Sequence, residues 1–449
     1  PGREHGGQPR GGAHRDPRLG SVTVTAPGPS DLPLSPFAAW HYDPRRAGDL
    51  SRVVAPPYDM IDEDSVEALR TASPYNVVRL IRPDGEGTGD AYAAAAATLA
   101  QWQDDGVLIP LAGAATFVYE HRHGDQSVRG LIAAVPLDGG GARILPHEDV
   151  LPGPVADRLA LLRATHANVE PILLTVDDSP ALTGLTHRDD AGAPLVDVTS
   201  PDGDRHRIWV VERPERVQAA AAGLVGRDLL IADGHHRYAA ARRHAADLHA
   251  AGRGPGPWDR MMALVVDQRS SPVTVGAIHR AIAGLSLGEA VECIGADARV
   301  RWAGGTPQEV ADSLADDPDR PAVALTDGRQ HAIVDRPSAE VVTAYLPAGQ
   351  APVWSTLDTA FVDHVLIEGL WAARVPTASV TYHHDVDAAV RCAVRHSGTA
   401  ALLPPLSHEV IARVAASGEL LPHKSTSFSP KPLAGLLLRT WDPRTAQPS

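Results

Sequence analysis

The chain has 449 residues, 55 acidic against 41 basic, and a net charge of −14. That length suffices for two or three domains with real cores, and the charge argues against a broad nucleic-acid surface. No apolar run reaches membrane-span length, and two lone cysteines, Cys293 and Cys392, indicate neither a disulfide framework nor a cysteine zinc site.

Residues 1–33 are rich in Pro, Gly, Arg and His and lack the apolar centre of a secretory signal, so they read as a disordered tail of a cytoplasmic protein. Ordered structure is expected from Leu34. Residues 53–61 read as an apolar strand stopped by Pro56 and Pro57, a stiff turn that presents Tyr58 and Asp59. Residues 74–81 read as a strand carrying Arg79, 92–102 as an Ala-rich helix ending near Gly106, and 116–119 with 129–135 as paired strands. The Pro/Gly-bounded loop 144–154 carries His147, Glu148 and Asp149, and a helix bearing Asp157, Arg158 and Arg163 follows. Charged groups on a loop between rigid elements commonly build sites, and a carboxylate beside an imidazole is a candidate base toward a hydroxyl. The alternative is a solvated acidic loop. Residues 171–176 and 207–211 read as core strands, and 217–225 as a helix.

The strongest local signal lies at residues 229–241. An apolar run breaks at Asp233-Gly234 and resumes as an Ala-rich helix with Tyr238, Ala241, Ala245 and Leu248 on one face. Asp233 is the expected N-cap, which puts Gly234, His235 and His236 in a first turn whose N–H groups lack intrahelical partners. Such a turn favours a phosphate. His235, His236 and Arg237 crowd the positive end of the helix dipole, an unfavourable placement unless an anion is present. The plain alternative is an ordinary turn with a solvated first turn.

Residues 261–266 and 273–278 read as strands, the second ending at His279-Arg280, another possible anion contact. From residue 287 short strands (298–302, 322–325, 331–334) alternate with Ala/Asp-rich helices, so the division expected is 34–286 and 287–449. A helix is expected over 356–370. A strand at 379–382 leads to His383-His384-Asp385; with no third ligand in sight, these read as surface polarity rather than metal ligands. A strand at 400–403, a helix at 409–416 and a closing strand or helix at 433–438 complete the chain.

The only two lysines, Lys424 and Lys431, fall in one loop, residues 422–431, and every other basic position is Arg. A coding bias toward Arg explains the scarcity but not the clustering. A compact ammonium suits a phosphate or a buried carboxylate where a planar fork does not. The loop is therefore expected to fold back onto a site assembled earlier in the chain.

Ala55-Pro56-Pro57-Tyr58-Asp59, His147-Glu148 through Pro154, Asp157-Arg158-Leu159, Ala232 through Tyr238, and Lys424-Ser425-Thr426 through Pro430-Lys431 together resemble the bacterial domain-of-unknown-function family 1015, in order over residues 34 to 440. The Asp-Gly-His-His-Arg block also resembles the signature of the ParB/sulfiredoxin-like superfamily, in the form closest to its free-serine kinases. The resemblance implies an α/β fold with mixed sheets, a ParB/sulfiredoxin-like core elaborated by further α/β structure. It implies a nucleotide-dependent phosphotransferase that converts a small hydroxy-amino acid, L-serine above all, to O-phospho-serine. Gly234, His235, His236 and Arg237 match the phosphate-binding turn, and Asp233 would cap the helix or help hold Mg²⁺. Glu148 is the first choice for the base and Asp59 the second, with His147 beside them. The lysine loop has no counterpart in the small superfamily members, so it is the scarcity of lysine that assigns Lys424, Ser425, Thr426 and Lys431 to nucleotide phosphates or the substrate carboxylate. Tyr58 and Arg158 are assigned to the substrate. The nucleotide would be ATP or ADP, with CTP possible. A phosphoserine phosphatase and a non-catalytic nucleotide switch like the partition CTPases remain as alternatives. The reactive cysteine of sulfiredoxin is missing from the turn, which argues against sulfinic-acid reduction.

Overall fold

The computed structural model describes residues 2, 32–84, 90–187, 192–315, 320–350, 352–375 and 379–442. Most of the expected tail, residues 1–33, therefore lies outside the described residues. The fold is mixed α/β, with helices packed on four β-sheets. No described helix is long and apolar enough to cross a membrane.

The largest sheet has eight strands and uses only residues 117–267. At its middle, Ile172–Val176 pairs antiparallel with Asp228–Asp233 on one side and parallel with Arg260–Asp267 on the other. The Ile172–Val176 strand is buried throughout, as expected for a strand covered on both faces. Its side chains alternate between two cores with the period of a strand. Ile172, Leu174, Leu229 and Ile231 share one core with Leu162, Tyr238 and Ala241 of the helices Pro152–Thr165 and His235–Ala250. Leu173, Leu230 and Ala232 face the other way and pack with Trp354, Phe428, Leu436 and Leu437. Distant C-terminal segments thus cover the second face, and this packing brings the lysine loop back to the sheet.

Two smaller pairings hold that loop in place. Ser427–Ser429 forms an antiparallel ribbon with Thr274–Gly276, and Leu438–Thr440 inserts between Phe37–Tyr42 and Ala167–Asn168 in a four-stranded sheet. A six-stranded antiparallel sheet is built from residues 279–402. The chain changes sheet between Gly276 and His279, a few residues before the compositional change at 287.

Three local expectations are corrected. Residues 53–61 are not a strand: Leu50–Arg52 and Tyr58–Met60 are 3-10 turns, and only Ala55 bridges, to Ala434. Prolines at 56 and 57 cannot donate to a ladder. Residues 74–81 end in a short helix, Val78–Ile81. The buried Asn76 side chain accepts from Val78 N–H at 2.9 Å and donates to the carbonyls of Arg52 and Val54, which selects the turn over a strand. His279-Arg280 does not end a strand but lies inside His279–Ile282. Arg280 is buried and bidentate to Asp363, at 2.9 and 2.6 Å, so it is no anion contact.

Candidate functional site

The strand Asp228–Asp233 runs into Gly234 and the helix His235–Ala250 at the floor of a solvent-open cleft of about 720 Å³. Gly234 adopts a left-handed conformation (φ 95°), and a Cβ there would lie 2.6 Å from Ile172 Cγ2. Only glycine meets both conditions. Gly234 therefore holds the N-cap position, and Asp233 is the last strand residue, not the cap. The first intrahelical bond runs from Tyr238 N–H to Gly234 O, so the amides of His235, His236 and Arg237 precede the bonded ladder at the positive end of the dipole.

The expected crowding of cations at this turn is not found. His235 Nε2 accepts from the His147 N–H at 3.4 Å, and His236 Nε2 accepts from the Leu151 N–H at 3.1 Å. A backbone amide can only donate, so both Nε2 atoms are unprotonated and both imidazoles neutral. Burial pushes their pKa values below the usual range. They fasten the 147–151 loop to the helix start. Arg237 turns away from the cleft: its guanidinium donates to Pro171 O (2.5 Å) and Asp233 Oδ2 (2.6 Å), and Nε lies 3.9 Å from Glu170 Oε2.

The same loop forms one wall. Glu148 Oε1 accepts the Lys424 N–H at 2.8 Å and lies 3.2 Å from His423 Nδ1, while Leu421 N–H donates to His147 O at 2.7 Å. Burial would raise the Glu148 pKa, but the contact with His423 and the bond from the Lys424 amide hold it at about 2. His147 sits behind this wall, fully buried, with Nε2 2.8 Å from Thr426 Oγ1 and its ring edge-on to that of His235. Burial lowers its pKa to about 3, so it is neutral.

The lysine loop continues this wall, with Lys424, Thr426 and Lys431 all lining the cleft. Lys424 takes a left-handed φ of 57°, uncommon for a non-glycine residue and often found where function dictates the backbone. Lys431 Nζ is 2.7 Å from Asp233 Oδ1 and 4.0 Å from Asp59 Oδ2. Burial alone would lower the Lys431 pKa; Asp233 and Asp59 raise it. Ser425 stays out of the cleft: its buried hydroxyl donates to Pro422 O at 2.5 Å and lies 3.2 Å from Thr359 Oγ1, which shapes the loop.

The Pro56-Pro57 turn supplies Tyr58 and Asp59 to the rim. Tyr58 N–H donates to Glu170 Oε1 at 2.9 Å, and the guanidinium of Arg158 lies 4.1 Å from its ring centroid. Arg158 itself is buried, bonded to Ile81 O and Asp157, and does not line the cleft. It supports Tyr58 rather than reaching a substrate. Two residues of this region escaped the sequence reading. Glu170 is a buried carboxylate whose one local sign is a lone acid opening an apolar strand. His384, taken for surface polarity, lines the cleft beside Ile278, because the pairing of Val380–His383 with His279–Ile282 brings it there.

Asp233 does not fit a resident metal. Each of its oxygens already meets a cation, Lys431 at Oδ1 and Arg237 at Oδ2. Among the described residues no group of three His, Cys, Asp or Glu is arranged to hold a metal ion.

Five separated segments thus meet at one helix N-terminus. The family of unknown function DUF1015 matches residues 34–360. The chain belongs to this family. The lysine loop lies beyond the matched residues. No curated protein matches the sequence. Among solved structures, a mutant free serine kinase in complex with ADP is 14% identical, with a TM-score of 0.35 over 66% of this chain and 87% of that one. Free serine kinase in complex with AMP is 17% identical (TM-score 0.34, 66% and 86% covered). A conserved hypothetical protein from Pyrococcus furiosus is 15% identical (TM-score 0.34, 68% and 93% covered).

Proposed function

We propose that the cleft is a phosphoryl-transfer site that moves a phosphoryl group from a nucleotide, ATP or ADP and less readily CTP, to the hydroxyl of a small hydroxy-amino acid such as L-serine. The observation that carries the reading is the meeting of a glycine-started helix N-terminus with both lysines of the chain and an ionised carboxylate in one cleft. Transfer of this kind needs little covalent help from the protein and depends on positioning and charge stabilisation. The amides of His235, His236 and Arg237 and the ammonium of Lys424 would hold phosphate oxygens. Among the described residues Lys424 meets no carboxylate, whereas Lys431 already meets Asp233.

Glu148 would orient the acceptor hydroxyl. Its Oε1 is bonded to the loop, and its pKa of about 2 keeps it ionised throughout the physiological range. In the transfer, the bond from phosphorus to the bridging oxygen of the donor breaks and a bond to the acceptor oxygen forms. The hydroxyl proton passes through Glu148 to solvent. A Mg²⁺ ion would arrive on the nucleotide, bound mainly by phosphate oxygens and water, as is usual for this cation.

A ³¹P NMR time course tests the reading: protein, Mg²⁺ and L-serine, with ATP, ADP, CTP or pyrophosphate as donor. A new phosphomonoester signal matching O-phospho-serine is expected. Phosphate release from O-phospho-serine alone would replace the kinase with a phosphatase. Silence in both, with nucleotide binding retained, would replace it with a nucleotide switch.

A further inference from the structure

At the base of the cleft, a ring of charged groups links the Tyr58-Asp59 turn, the lysine loop and the helix start. From Asp59 the path runs to Lys431 Nζ (4.0 Å) and on to Asp233 Oδ1 (2.7 Å). Asp233 Oδ2 meets Arg237 (2.6 Å), and Arg237 Nε faces Glu170 Oε2 (3.9 Å). Glu170 Oε1 then accepts the N–H of Tyr58 (2.9 Å), whose neighbour is Asp59, and the ring closes. Glu170 is 5% exposed and does not itself line the cleft. Arg237 Nε, which faces it, is buried and has no hydrogen-bond partner among the described residues. Glu170 joins the turn that carries Asp59 to the helix start that carries the phosphate-facing amides.

We infer that Glu170 is a positioning residue: from outside the cleft it sets the Tyr58-Asp59 turn and, through Arg237 and Asp233, the place of Lys431. This rests on the phosphoryl-transfer reading for its effect on turnover, but not for its effect on Lys431. Two features make the carboxylate the right group. A backbone N–H needs an acceptor when buried, and a carboxylate 3.9 Å from Arg237 Nε balances that guanidinium, with Arg237 and Arg158 opposing the burial that raises the Glu170 pKa. A neutral residue at 170 leaves Arg237 to draw Asp233 more strongly, which loosens Asp233 from Lys431. Lys431 is then held by Asp59 alone, and both shift relative to Gly234.

The test uses the scarcity of lysine. Selective ¹³C labelling of lysine in the full chain gives two side-chain signals, Lys424 and Lys431, each sensitive to the surroundings of its ammonium. Glu170→Gln keeps an acceptor for the Tyr58 N–H and removes the charge. It should move the Lys431 signal and leave that of Lys424 in place. If the wild type transfers phosphoryl groups, the same variant should lose roughly tenfold or more in kcat/KM, because displacements of about 1 Å at a reacting centre can cost roughly a hundredfold. Glu170→Asp, which keeps the charge, should restore part of both. Should the Gln variant not fold, Glu170→Asp is read alone: the shorter carboxylate should move the Lys431 signal by a smaller amount and leave that of Lys424 in place. Two unmoved signals would overturn the inference. So would equal movement of both together with a loss of melting temperature, which would mark a general loosening. A wild type that transfers no phosphoryl group sinks the functional reading alone, and the two signals still decide the role of Glu170.

Discussion

Glu148→Gln separates what this carboxylate does for the lysine loop from what it does for chemistry. The side chain is 15% exposed and its pKa lies at about 2 against an ordinary 4.5. A depression of that size corresponds to about 3 kcal/mol of preference for the ionised form in the folded state. Glutamine resembles the protonated acid, so it should forfeit about that much at pH 7. Because the folded pKa is depressed, the stabilisation is present above the unfolded pKa of 4.5 and is lost as pH falls toward 2. The gap between wild type and variant should therefore narrow by about 1.4 kcal/mol per pH unit below that point. The effect is local, since Glu148 holds the Lys424 amide, so hydrogen exchange over residues 421–429 is the assay. A gap of about 3 kcal/mol means roughly a hundredfold faster exchange at pH 7. In turnover, loss of the hydroxyl-orienting group should cost about 10²- to 10⁴-fold in kcat, with nucleotide affinity changed only a few-fold. An exchange difference that is absent, or that does not shrink in acid, would refute the electrostatic reasoning. Unchanged turnover would remove Glu148 from the chemistry.

Three further outcomes follow from the same geometry. Lys424→Arg keeps the charge but replaces a compact ammonium with a planar fork, so phosphoryl transfer should fall at least about tenfold; full activity would reduce the lysine clustering to coincidence. Gly234→Ala meets both a left-handed φ and Ile172 Cγ2 at 2.6 Å. It should cost about 1–3 kcal/mol of stability and weaken nucleotide binding measured by calorimetry. His147 has a folded pKa of about 3 against 6.5, so its neutral form is favoured and stability falls as pH drops below 6.5. Urea unfolding at pH 7 and pH 5 should show wild type losing about 2 kcal/mol more than His147→Gln, and equal losses would place the imidazole in solvent.

The strand–glycine–helix turn was legible because its determinants are local. An apolar run, a glycine and an Ala-rich helical face are contiguous, and the structure puts strand, turn and helix where that pattern does. The return of the lysine loop was legible for a different reason, the scarcity of one residue type. The state of the turn was not. Arg237 looks like a phosphate ligand until Glu170 and Pro171, more than sixty positions upstream, are seen to occupy it. The imidazoles look cationic until the amides of His147 and Leu151 take their lone pairs. The short helix at Val78–Ile81 follows from where Asn76 bonds. His384 reaches the cleft only through the sheet pairing of strands some hundred residues apart.

The placement of Lys431 explains why this position is not another arginine. Asp233 has one oxygen taken by the guanidinium of Arg237. A second planar fork would seek both oxygens and compete with the first. An ammonium presents three donors around a point, so it can bond Asp233 Oδ1 at 2.7 Å, face Asp59 at 4.0 Å and keep a third direction. Asp59 is the looser of the two partners, and its side chain is 37% exposed where that of Asp233 is 7%. On the phosphoryl-transfer reading, an arriving phosphate therefore competes with Asp59 for Lys431 and leaves Asp233 in place. Binding then frees a carboxylate at the rim, beside Tyr58, a partner for the ammonium of an amino-acid acceptor. Nucleotide first and acceptor second is the order of addition this arrangement favours.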